Sequence, residues 1–145
     1  EVYRKHNIEN HTKEFIQPFS GCKDVLKLLK RRGYKLGIVS SKRKEIILLG
    51  LQLFDLERYF DVIIAAEDVT EPKPSPEGIK KAIDILKPDA NVLYVGDNPS
   101  DIQAGINANV KTCDVMYSDK FEECEKLNPT YCIKDLTGLY KILVE

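Results

Sequence analysis

Apolar and polar positions along this chain fall into blocks, and the repeat changes from block to block. Between Ser20 and Gly33, Val25, Leu28 and Leu29 share one face at i, i+3 and i+4. That spacing predicts a helix, capped by Ser20 and closed by Gly33. YKLGIV (34–39) predicts a short strand ending at Ser40-Ser41. A second helix follows from Lys42 to Leu51, and FDLERYFD reads as a shorter helical turn. The continuous apolar run VIIAA (62–66) suits a strand buried on both faces of a parallel sheet.

From Glu67 to Pro76 the pattern stops. Pro72, Pro74 and Pro76 forbid a regular element there, and Pro76 suits the first turn of the next helix. That helix covers Glu77 to Leu86, with Ile79, Ala82, Ile83 and Leu86 on one stripe. VLYV (92–95) predicts a strand that ends at Gly96-Asp97, and a helix opens at Pro99 or Ser100 and runs to about Ala108. A strand at 110–116, a helix near 120–127, a strand at 131–133 and a helix at 136–143 complete the reading. Alternating strands and helices imply an α/β fold, with a doubly wound parallel sheet covered on both faces.

Composition narrows the function classes. The 145 residues suffice for one domain with its own core. Net charge is -1 and the basic residues are dispersed, which argues against nucleic acid or an anionic membrane as a partner. The locally basic run KLLKRRGYK reads as a solvated helix face. No apolar run approaches the roughly 18 residues that span a bilayer, and the polar N-terminus has no signal-peptide pattern. Cys22, Cys113, Cys124 and Cys132 form no C-x-x-C pair and have no neighbouring His, so they read as reduced thiols of a cytoplasmic protein. His6 and His11, in the polar N-terminal stretch, read as surface residues.

In an open α/β sheet, ligands bind beyond the carboxyl ends of the strands. Three such ends carry suggestive polar residues. Ser40-Ser41 follows LGIV, where a hydroxyl and the N–H groups of the next helix make a phosphate site; an ordinary N-cap is the alternative. Lys73 lies between Pro72 and Pro74, whose restricted backbone can hold an ammonium in place for a phosphate; a solvated loop lysine is the alternative. Asp97 and Asp101 in GDNPSD lie one helical turn apart after VLYV and suit a hard cation such as Mg2+; a cap and a solvated carboxylate are the alternatives.

Taken in order, LGIVSS, EPKPSPEG and VLYVGDNPSDIQAG resemble the second, third and fourth motifs of the haloacid dehalogenase superfamily, especially its phosphoglycolate-phosphatase and pyrophosphatase branch. The likeness covers roughly residues 1–117. It implies a Rossmann-like core and Mg2+-dependent hydrolysis of small phosphate esters through an aspartyl phosphate. Under it, Ser40 and Ser41 would contact the phosphoryl group and Lys73 would offset its charge. Ser40 and Lys73 would thus be catalytic. Asp97 would bind the metal, and Asp101 would bind it directly or through water, or else hold Lys73.

The family's first motif, D-x-D, supplies the nucleophile from the central strand of a sheet ordered 3-2-1-4-5. No D-x-D occurs in this chain. Residues 1–17 instead resemble the end of a cap helix and its linker, with a partial core over 18–145. The expectation is a core lacking its first strand, with LGIV and VLYV flanking a gap. Those two strands would either pair directly or accept a segment from a second copy or partner chain. Three readings stay open: part of a phosphatase cut short, a non-catalytic domain that binds phosphate or metal, or one part of an assembly. A small phosphorylated molecule is the expected ligand.

Overall fold

The computed structural model describes residues 2–3, 22–88, 91–115, 119–134 and 137–144. In chain order these form β1 (Val2–Tyr3), α1 (Cys22–Arg31), β2 (Gly37–Val39), α2 (Lys44–Leu53), β3 (Val62–Ile64), α3 (Glu77–Leu86), β4 (Leu93–Gly96), α4 (Pro99–Asn107), β5 (Lys111–Val115), α5 (Phe121–Glu125), β6 (Tyr131–Ile133) and α6 (Thr137–Val144). Single 3-10 turns lie at Glu57–Tyr59 and Ala66–Asp68. The fold is α/β with parallel strands, as the alternation predicts. The expected Ser20 cap, His6 and His11, and residues 4–17 of the expected cap remnant lie outside the described residues.

Local chemistry explains several boundaries. Gly33 adopts φ +86 just past α1, where Gly33 N–H and Tyr34 N–H donate back to the carbonyls of Lys30 and Leu29. A residue without Cβ takes that left-handed turn without strain. The second helix begins at Lys44, two residues later than its apolar pattern suggests. Arg43 occupies its N-cap without a side-chain bond, and the Glu67 carboxylate accepts the Lys44 N–H at 2.9 Å instead. Ser40 is therefore not the helix cap.

Hydrogen bonds pair β1 with β4, β4 with β5 and β5 with β6, and separately β2 with β3. β1 also lies against β2. The spatial order is thus β3-β2-β1-β4-β5-β6. Neither filling of the gap expected from sequence is what the structure shows. β2 and β4 do not pair, and the slot holds Val2 and Tyr3 of the same chain, in register with Tyr94 and Val95. A two-residue strand escapes periodicity analysis, because two positions define no period.

The core forms on both faces. Leu26, Leu29, Leu36, Ile38, Leu51 and Leu93 pack into one cluster. Val39, Ile64, Ile79, Ala82 and Tyr94 form the other. Ile38 on β2 belongs to the first and Val39 beside it to the second, as alternation along a strand covered by helices on both sides requires. Burying each large aliphatic side chain contributes about 1.5–3 kcal/mol before entropy is counted.

Candidate phosphate and metal site

β2, β3 and β4 end on one side of the molecule, and the sequence-predicted site residues meet there. Ser40 directly follows β2, is buried, and donates its N–H to the Ile64 carbonyl at 2.9 Å. Its Oγ accepts the Lys42 N–H at 3.1 Å, so the hydroxyl is held by its own loop. Ser41 next to it is exposed.

Lys73 arrives from the proline loop, in which the Lys73–Pro74 peptide is cis. Its Nζ donates to Asp101 Oδ1 at 2.5 Å, with the two side chains only 7% and 0% exposed. A buried pair of this kind needs further hydrogen bonds to offset desolvation, and Asp101 has them. Its Oδ2 accepts the N–H of Asp97 at 3.3 Å and of Asn98 at 3.2 Å. Asn98 caps α4 by accepting the Ser100 N–H at 3.2 Å. Of the roles open to Asp101, holding Lys73 is the one its oxygens perform here. Gly96 is required for this packing, because a Cβ there would lie 2.3 Å from the Cβ of Asp101.

Asp97, also buried, ends β4 beside this pair. A carboxylate on a rigid strand end is the donor type that a hard divalent cation takes. Among the described residues, no group of three or more His, Cys, Asp or Glu side chains gathers to hold a metal. A carboxylate of this kind fits Mg2+ by donor type.

A cavity of about 150 Å³ opens beside these residues, lined by Ser40, Ser41, Lys73 and Ser75 on its polar side and by Val39 and Val69 on its apolar side. It is large enough for a phosphoryl group. The structure thus brings Ser40, Ser41 and Lys73 around one volume and ties Lys73 to Asp101 and, through Asp101, to the backbone of Asp97.

Three contributors escaped the sequence reading. Asn98 stands three residues before Asp101, the spacing of a capping box, and that signal was available. Glu77 accepts hydrogen bonds from the proline loop, described below, with no sequence signal beyond its place in a first helical turn. Asp114 on β5 is fully buried, and among the described residues its carboxylate makes no close hydrogen bond, with the Cys124 thiol and the Val115 backbone beside it. Burial pushes its pKa up to about 6, against a smaller opposing effect of the Cys124 thiol beside it. Cys124 is itself buried, and desolvation together with the Asp114 charge raises its pKa.

Residues 1–115 match the family described as haloacid dehalogenase-like hydrolase. Pyrophosphatase PpaX of Halalkalibacterium halodurans is 40% identical over 98% of this chain and 66% of its own length. Pyrophosphatase PpaX of Bacillus cereus is 38% identical over 97% and 66%. The chain therefore spans just under two thirds of these relatives. Among solved structures, a haloacid dehalogenase-like hydrolase from Bacteroides fragilis superposes with TM-score 0.77 at 35% identity, covering 83% of this chain and 59% of that one. The HAD-hydrolase YfnB of Bacillus subtilis, bound to magnesium, superposes with TM-score 0.73 at 26% identity, covering 86% and 54%. This chain belongs to the haloacid dehalogenase-like hydrolase family.

Proposed function

We propose that this site holds the phosphoryl group of a small phosphorylated molecule beside a divalent cation, and that the whole protein hydrolyses a phosphate ester or phosphoanhydride. The observation that carries the reading is the buried Lys73–Asp101 pair beside a cavity that Ser40, Ser41 and Lys73 line together. The names of the pyrophosphatase relatives and the magnesium in the YfnB structure support it.

Each residue has a task that follows from its chemistry. Asp101 fixes the Lys73 ammonium, so charge meets the phosphoryl oxygens without reorganisation at the moment of reaction. Ser40 and Ser41 line the same cavity and offer hydroxyl groups to the phosphoryl oxygens. Asp97, with Asp101 through water, would hold Mg2+, which when bound neutralises phosphate charge. The nucleophile in this reading is an aspartate absent from these 145 residues, acting through an aspartyl phosphate. The sequence after Tyr3 reads Arg4-Lys5-His6, with no carboxylate before Glu9. In this reading these residues form the core that binds the phosphoryl group and the cation. A cytoplasmic location accords with the free thiols of Cys113, Cys124 and Cys132.

Titration calorimetry with inorganic phosphate, with and without Mg2+, tests the reading on this chain. Saturable binding that needs Lys73 and is strengthened by Mg2+ only while Asp97 is present is the expected result. Binding equal in Lys73→Ala and the unaltered chain would sink it.

A further inference from the structure

The loop that presents Lys73 contains no regular structure, yet its lysine is held to within hydrogen-bonding distance of one oxygen atom. Prolines restrict such a loop but do not anchor it to the body of the protein. The anchoring comes from Glu77, in the first turn of α3. Its Oε1 accepts the Thr70 N–H at 3.0 Å, the Thr70 hydroxyl at 2.9 Å and the Glu71 N–H at 2.9 Å. Its Oε2 accepts the Thr70 N–H at 3.0 Å and faces Lys81 Nζ at 3.3 Å. Two N–H groups and a hydroxyl at the start of the loop thus converge on one carboxylate at its end.

The loop closes on itself inside this clamp. Ser75 N–H donates to the Pro72 carbonyl at 3.0 Å, and Ser75 Oγ accepts the Glu77 N–H at 3.2 Å. On the far side, Asn107 of α4 donates its Nδ2 to the Pro74 carbonyl at 2.9 Å and is itself held by Gln103 at 2.9 Å. Lys73 is therefore gripped from three directions: by Asp101, by α4 through Pro74, and by Glu77 through Thr70 and Glu71.

We propose that Glu77 is a positioning residue, whose carboxylate clamps the Thr70–Glu71 backbone and so sets where the Lys73 ammonium stands in the phosphate site. A helix-surface role does not account for the arrangement. A Glu–Lys pair at i and i+4, such as Glu77 with Lys81, needs only one ion contact and no loop amides. The clamp persists across the usual pH range. Hydrogen bonds from the Glu71 and Thr70 amides, above all, hold the Glu77 pKa down to about 2, so the carboxylate remains an acceptor. The inference rests on the phosphate reading for its functional meaning, though not for its geometry.

Two substitutions separate charge from reach. Glu77→Gln keeps the side-chain length and removes the anion, whereas Glu77→Asp keeps the anion in the first helical turn and withdraws it by one methylene. The first readout is the Lys73 ammonium signal in 15N NMR, assigned by its loss in Lys73→Arg. In the unaltered chain a buried, paired ammonium exchanges slowly with water and is visible. In both folded variants we expect it to broaden away or move to the position of the surface lysines. The second readout is calorimetric affinity for inorganic phosphate. Glu77→Gln is expected to weaken it about tenfold where Lys73 is present, equivalent to 1.4 kcal/mol, and less than about twofold in a Lys73→Ala background. An unchanged Lys73 signal in either folded variant overturns the proposal. So does an equal loss of affinity in both backgrounds, or global unfolding of both variants, since Glu77 would then support the fold rather than the lysine. If the unaltered chain binds no phosphate, the functional reading fails while the ammonium signal still decides the clamp.

Discussion

The Tyr94 hydroxyl of β4 donates to the Val39 carbonyl of β2 at 3.1 Å, inside the core. The bond crosses the position of the family's central strand, where Val2 and Tyr3 lie among the described residues. An unpaired buried carbonyl is costly, and this long aromatic side chain supplies the Val39 carbonyl with a donor from β4. Tyr94→Phe keeps the ring and removes the donor. It should destabilise the protein by about 1–3 kcal/mol, read as a lower urea midpoint with an unchanged slope. An unchanged midpoint would mean that the Val39 carbonyl finds another donor.

The Lys73–Asp101 pair should behave as a unit. Asp101→Asn leaves a buried ammonium without its counter-charge, and breaking such pairs costs about 3–5 kcal/mol. The double change Lys73→Met with Asp101→Asn removes both charges and should recover a large part of that loss. Chemical denaturation of the three variants checks this, and a double variant no more stable than Asp101→Asn would contradict it.

Asp114 makes stability depend on pH in a direction unusual for a carboxyl group. Its pKa lies near 6 in the folded protein, above the ordinary 3.8. Folding therefore favours the protonated form. The penalty is absent below about pH 4, grows as pH rises to about 6, and is then fully present. At 1.36 kcal/mol per unit it reaches at most about 3 kcal/mol. Asp114→Asn removes this titration. The stability difference between variant and unaltered protein should shift in the variant's favour by that amount from pH 4 to pH 7.5. Parallel denaturation curves at both pH values, giving a constant difference, would rule the effect out.

Purified and supplied with Mg2+, the 145-residue chain should not turn over an activated aryl phosphate. An in-line displacement needs a carboxylate at near-attack distance from phosphorus. Asp101 is committed to Lys73 and to two backbone N–H groups, while Asp114 is buried on β5. Binding without turnover is the expected result, since these residues hold the ground state alone. Hydrolysis that disappears in Asp97→Asn, in material free of longer protein, would show that a nucleophile exists within these residues.

Hydrophobic period and turn chemistry in the sequence determined most of this fold. The stripe Ile79, Ala82, Ile83 and Leu86 bounds α3 as Glu77–Leu86, because a helix shows its buried face every three or four residues. VLYV with its terminal glycine and aspartate placed Asp97 at a strand end for a similar reason, since a doubly covered strand is apolar throughout. Ser40 and Asp97 could be placed for the same cause, since each directly follows a strand whose pattern is local. Tertiary structure alone decided the rest. Val2 and Tyr3 enter the sheet because β4 offers open backbone groups, and no local pattern in two residues encodes that. Asp101 turns to Lys73 rather than outward because the chain brings an ammonium 28 positions away to 2.5 Å from its oxygen. Glu77 grips Thr70 and Glu71, and Asp114 is buried beside Cys124, through contacts that only packing creates. The sequence positions of these residues specify their chemistry, and only distance in space specifies their partners.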